Sequence, residues 1–99
     1  MIKILTVFVL LTASLQSYGQ SAESYSKNGT SKAEKGDYTG AIADFTKAIE
    51  LNPKDANAYV NRGIAKFNLK EKDGACLDWS KAGELGDADA YDLIKKYCN

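Results

Sequence analysis

The chain repeats itself at one fixed spacing. Tyr25 returns as Tyr59, Gly29 as Gly63, Ala41 as Ala75 and Asp44 as Asp78. Lys47 returns as Lys81, Ala48 as Ala82, Glu50 as Glu84 and Leu51 as Leu85. Phe45 returns as a second large aromatic, Trp79. A period of about 34 residues belongs to stacked helix-turn-helix units, because each unit hides one apolar face only when a neighbour covers it. The period therefore predicts an all-α chain and a binding scaffold rather than a catalyst.

Ninety-nine residues allow one domain at most. Residues 1–19 read as a cleavable signal peptide. They carry Lys3, an apolar run from Ile4 to Leu11, and small residues at Ser17 and Gly19. That run is far below the ~20 apolar residues that span a bilayer. Stable membrane insertion is therefore not expected after cleavage, and the mature domain, 20–99, is expected to be exported to the periplasm or beyond the cell. The sequence holds 13 basic and 13 acidic residues, so loss of Lys3 leaves a net charge of −1. The charges are interspersed, which points away from nucleic acid as a partner. The chain has no His, the commonest general base and transition-metal ligand. With no phosphate loop, serine elbow or metal-ligand cluster, neither enzymatic activity nor a cofactor is expected.

Five helices are predicted in the mature chain. The first covers about Ala22 to Lys35 and stops at Gly36, which supplies a left-handed residue without steric cost. Asp37 caps the second, Tyr38 to Leu51, whose Ala41, Ile42, Phe45, Ala48 and Ile49 form one apolar stripe. Asn52-Pro53 ends it, since Pro53 disfavours helical backbone at the residue before it. Asp55 caps the third, Ala56 to Leu69. The fourth covers Glu71 to Leu85 and stops at Gly86. Asp87 caps the last, Ala88 to Tyr97. Asp44 with Lys47, and Asp78 with Lys81, are spaced to pair across one helical turn.

In its repeat positions the chain resembles a tetratricopeptide repeat (TPR) protein. Tyr25, Gly29, Ala41, Phe45, Ala48 and Pro53 fill the six signature places of a first repeat, 22–55. Tyr59, Gly63, Ala75, Trp79 and Ala82 fill five places of a second, 56–89. Asp87 stands where the second terminal Pro belongs, and the turn Leu69 to Asp73 lacks the Gly found in Gly36-Asp37-Tyr38. The resemblance implies an α-solenoid of two helix-turn-helix repeats closed by a C-terminal capping helix, 88–97. The end of the chain is similar to those of small exported bacterial proteins of this kind. Gly29 with Ala41, and Gly63 with Ala75, are expected at the closest helix crossings, with Phe45 and Trp79 in the next layer.

Cys76 and Cys98 are the only cysteines. They lie equally far, on either side, from Asp87, which marks the turn between the last two helices. Residues equidistant from the turn of an antiparallel helix pair lie level with one another. Cys76 also occupies the place of Ile42 on the apolar stripe. An exported chain meets an oxidising compartment, so a structural disulfide is expected. Two separate buried thiols and a redox-active pair are the alternatives.

The resemblance also implies a ligand-binding concave face built from the first helix of each pair. By alignment the first helix contributes Glu23, Ser26, Lys27, Thr30, Ala33 and Glu34. The third contributes Asn57, Val60, Asn61, Ile64, Phe67 and Asn68, and the fifth adds Tyr91, Leu93, Ile94 and Lys95. Lys27, Thr30, Asn57, Asn61, Ile64, Phe67, Asn68 and Lys95 are the candidate contacts, with Phe67 equally able to pack into the core. Some relatives grip a peptide's terminal carboxylate with two Lys, two Asn and an Arg. Only Asn61 and Lys95 stand at matching places, while Ser26, Thr30 and Tyr91 replace the rest, so that grip is not expected. The expected partner is a protein or peptide segment. Self-association into a homodimer through the uncapped first repeat, as a structural component of the bacterial envelope, is the alternative.

Overall fold

A computed structural model describes residues 21–99. The expected signal peptide lies outside the described residues. Within them all regular structure is helical. α1 covers residues 21–34, α2 Tyr38–Leu51, α3 Ala56–Asn68, α4 Lys72–Glu84 and α5 Ala88–Tyr97. α2 packs on α3, α3 on α4, and α4 on α5. Helices adjacent in the chain thus meet in space, which is the arrangement of an α-solenoid.

The turns explain where the helices stop. At the end of α1 the Asp37 N–H donates to the Lys32 carbonyl at 2.8 Å and the Gly36 N–H to Ala33 at 3.0 Å. This is a Schellman closure, and it needs the left-handed φ of +84° at Gly36. The same closure ends α4 at Gly86, φ +104°. It also ends α3, but there the left-handed residue is Lys70, φ +66°. Lys70 stands one period after Gly36, in the place the turn's missing Gly would fill. The closure shortens α3 to Asn68 and α4 to Lys72–Glu84, trimming the expected Leu69, Glu71 and Leu85. Asp37, Asp55 and Asp87 each accept a backbone N–H of the following helix, from Gly40, Asn57, and both Asp89 and Ala90. Glu71 makes no such side-chain bond at α4.

Two layers of core follow the two repeats. Ala41, Phe45 and Ala65 are buried with Ala33, Tyr38 and Ile42 against them. Ala75, Trp79, Ala82 and Ala90 are buried with Phe67, Cys76, Leu93, Ile94, Tyr97 and Cys98 against them. The aromatic rings lie directly on the signature glycines rather than one layer away. A Cβ on Gly29 would stand 2.8 Å from the Phe45 ring. One on Gly63 would stand 2.6 Å from the Trp79 indole nitrogen and 3.1 Å from the Ala75 carbonyl oxygen. Ala75 therefore shares the tight crossing with Trp79, whereas the nearest neighbours of Gly29 all belong to the Phe45 ring. The indole N–H also donates to the Val60 carbonyl at 3.2 Å.

The far end is closed by covalent and aromatic contacts together. Cys76 and Cys98 form a disulfide with Cα atoms 5.9 Å apart, joining α4 to the end of α5. Beside it the Phe67 ring lies 4.8 Å from Tyr97 and 5.8 Å from Trp79, with Trp79 and Tyr97 6.0 Å apart. Bridging residues separated by 22 positions restricts the unfolded chain by about 3 kcal/mol in the loop-entropy account. That is a large share of the stability of a domain this small.

Lys70 gives this fold a correctable weakness, because a left-handed residue with a Cβ costs about 1–2 kcal/mol. Lys70→Gly is expected to raise the stability measured by urea unfolding by about 1 kcal/mol. An unchanged or lowered midpoint would show that the α3–α4 turn carries no such strain.

Candidate functional site

Residues three and four apart share one face of a helix. Thr30, Ala33 and Glu34 on α1, and Asn61, Ile64 and Asn68 on α3, follow that spacing. Between these two faces lies a cavity of about 250 Å³, completed by Tyr38 and Phe45 of α2. Thr30 and Ile64 are equivalent by the sequence period, as are Glu34 and Asn68. The cavity is thus made where one position of the first repeat meets its copy in the second. Phe45, 1 % exposed, forms part of its floor, and Ile64, 41 % exposed, offers apolar surface to solvent.

The polar groups around it have fixed roles. The Thr30 hydroxyl donates to the Ser26 carbonyl at 3.0 Å. The Asn68 amide nitrogen donates to the Ile64 carbonyl at 2.9 Å. Both side chains have directed a donor back into their own helix, and both retain acceptor oxygen. Glu34 has no ion-pair partner among the described residues.

Of the candidate contacts, Thr30, Asn61, Ile64 and Asn68 converge on this cavity. Lys27 lines a shallow hollow beside it with Ser26, Thr30, Ser31 and Glu34, and its ammonium pairs with Glu23 at 3.2 Å. Asn57 sits in the first turn of α3, away from the cavity lining. Phe67 packs in the aromatic group with Trp79 and Tyr97 rather than in the cavity. Lys95 is exposed on α5 and does not line the cavity. Tyr91 covers Gly83 of α4, where a Cβ would stand 2.9 Å from its ring. Asn61 and Lys95 therefore do not share one pocket. Tyr38 and Phe45, second-helix residues absent from the expected contacts, do line it.

A buried polar network lies between the repeats. Arg62 grips Asp78 with two bonds, Nε to Oδ2 at 2.8 Å and a terminal nitrogen to Oδ1 at 2.7 Å. Its other nitrogen donates to the Thr46 hydroxyl of α2 at 3.2 Å, and the guanidinium lies 5.5 Å from the Tyr59 ring centre. Lys66 reaches the same Asp78 carboxylate at 3.1 Å. In the first repeat Lys32 holds Asp44 at 2.9 Å. The expected Asp44–Lys47 and Asp78–Lys81 pairs do not form. Both aspartates turn inward to the first helix of their repeat, and Lys47 and Lys81 pair instead with Glu50 and Glu84 at 3.6 and 3.8 Å. The signal for this was present in the period: Lys32 recurs as Lys66 just as Asp44 recurs as Asp78.

Hydrogen bonding to Asp78 raises the Arg62 pKa, and hydrogen bonding to Asp44 raises that of Lys32. A cation whose pKa rises on folding stabilises the fold below its unfolded value. That contribution fades only as pH climbs through the folded value, so both pairs persist at neutral pH. Asp78 is 4 % exposed and bears two cations, so removing it would leave buried charge uncompensated.

No metal-holding group of three or more His, Cys, Asp or Glu occurs among the described residues. No described helix is long and apolar enough to cross a membrane.

Comparisons with known proteins bear on the repeat and the fold. Residues 29–70, from the middle of α1 to the α3–α4 turn, match a family model described as "TPR repeat". No curated protein sequence matches the chain. Among solved structures, the first TPR of Spaghetti (RPAP3) bound to the HSP90 peptide SRMEEVD superposes with a TM-score of 0.70 at 20% identity, over 86% of this chain and 80% of that one. The TPR2AB-domain:pHSP90 complex of yeast Sti1 superposes with a TM-score of 0.68 at 28% identity, over 90% of this chain and 39% of that one. Residues 29–70 are thus similar to a TPR repeat, and the chain shares the helical fold of these two structures.

Proposed function

We propose that this chain is a non-catalytic adaptor that captures a segment of a protein partner in the cavity between α1 and α3. The observation that carries the reading is that cavity, formed by equivalent positions of the two repeats and floored by Phe45. Its volume of about 250 Å³ lies below the ~300–1,000 Å³ of small-molecule sites, so it suits one anchoring side chain of a longer segment. Solved structures of the same fold support the reading, since one holds an HSP90 peptide and the other is an HSP90 complex. A two-repeat face is short, so a single engagement is weak and exchanges quickly.

Export completes the proposal. The signal-like residues 1–19 and a disulfide that needs an oxidising compartment support it together.

Two measurements check these statements. A photo-crosslinker at Ile64, in cells that make the protein, is expected to capture a partner protein that a crosslinker at the exposed Leu77 does not. Equal capture from both positions would remove the cavity from the account, and capture of a second copy of the chain would favour self-association. Intact-mass analysis without reductant is expected to find a chain that begins at Gln20, with no alkylatable thiol. A full-length chain with two free thiols would contradict export.

A further inference from the structure

We infer that the segment held in the cavity carries an apolar side chain flanked by arginine or lysine, and not by acidic residues. The inference rests on the proposed binding role of the α1–α3 cavity and adds the chemistry of its ligand.

The one charged side chain lining the cavity is the carboxylate of Glu34. Glu34 has no described ion-pair partner, and it stands beside the apolar walls made by Ile64, Tyr38 and Phe45. The hydroxyl proton of Thr30 and one of the two amide N–H groups of Asn68 are committed to backbone carbonyls of their own helices, while Asn68 keeps a second N–H and Asn61 brings an amide of its own to the lining. Thr30 and Asn68 both retain an acceptor oxygen toward the cavity. No lysine or arginine lines the cavity. A guanidinium or ammonium would pair with Glu34, whereas a carboxylate would be repelled by it; the amides of Asn61 and Asn68, which both donate and accept, serve either group.

The surrounding cations do not reverse this. Lys27 shares the neighbouring hollow with Glu34, but its ammonium lies 3.2 Å from Glu23 on the exposed surface and does not line the cavity itself. Lys32 is drawn to Asp44 and Lys66 to Asp78. Lys70 and Lys72 line a separate hollow with Phe67 and Asn68. They bias the ligand's positive group toward the Glu34 end. The peptide SRMEEVD held by the Spaghetti domain is rich in acidic residues. The present cavity selects against such a segment.

The test uses the oxidised mature protein and two blocked peptides. Each has one central leucine, flanked on both sides by arginine in one and by glutamate in the other. Calorimetric titration at low salt is expected to show the arginine peptide binding at least about five-fold more tightly, the scale of one partly exposed ion pair. Glu34→Gln, a conservative change on the cavity rim, is expected to erase most of that ratio. Equal or tighter binding of the glutamate peptide would overturn the charge preference while leaving peptide capture in place. A preference that survives Glu34→Gln would overturn the assignment to this rim. Binding of neither peptide at millimolar concentration would overturn both the preference and the binding role of the cavity.

Discussion

Two aromatic rings resting on two glycines hold the repeats in their geometry. Phe45 occupies the space beside Gly29, and Trp79 the space beside Gly63. Without a Cβ at either position, the first helix of each pair comes close enough for its partner's ring to be buried, to 1 % exposure in both cases. Overpacking such a crossing by a single methyl group costs about 1–3 kcal/mol. The functional surface depends on the same contact. Phe45 meets Gly29 in the core and also floors the cavity between α1 and α3. Widening that crossing would alter the cavity even though Gly29 does not line it.

The second crossing is secured by more than its ring. Arg62 ties Asp78 of α4 to Thr46 of α2, so one side chain spans both repeats. Lys66 adds a second cation to the same carboxylate. Beyond it, Phe67, Trp79 and Tyr97 join α3, α4 and α5, and the Cys76–Cys98 bond fixes α5 over them. A solenoid of two repeats has few neighbours to share its exposed faces. Here the last face is covered by α5, and the covalent bond offsets the small area of apolar contact. The first repeat keeps the simpler Lys32–Asp44 pair.

The helical order was legible because turn chemistry and period agree. Gly36, Gly86, Pro53 and the capping aspartates mark their positions by backbone geometry, which local sequence encodes directly. Lys70 was not legible as a left-handed residue, because that conformation is imposed by the Schellman bonds around it rather than by its own preference. The ion pairs were misread for a related reason. Asp44 and Lys47 satisfy helical spacing, yet the aspartate turns into the helix pair, where Lys32 is available. Spacing within one helix cannot reveal a partner from another. Phe67 keeps both of its expected environments: its ring packs beside Trp79 and Tyr97, and it is half-buried in the lining of a hollow with Asn68, Lys70 and Lys72. Among the expected contacts, Thr30 with Ile64 stands out, because period-related copies face each other across α1 and α3. Tyr38 and Phe45 joined them from α2, which an alignment of first helices could not include.

The proposed partner meets one surface, between α1 and α3, with one charged group, Glu34. Amide chemical shifts of the oxidised mature domain, followed as the arginine-flanked leucine peptide is added, test it most directly. Saturable changes centred on Thr30, Glu34, Tyr38, Ile64 and Asn68 are predicted, with α4 and the disulfide region unchanged. Changes confined to the outer face of α4, or none at saturating peptide, would contradict the account.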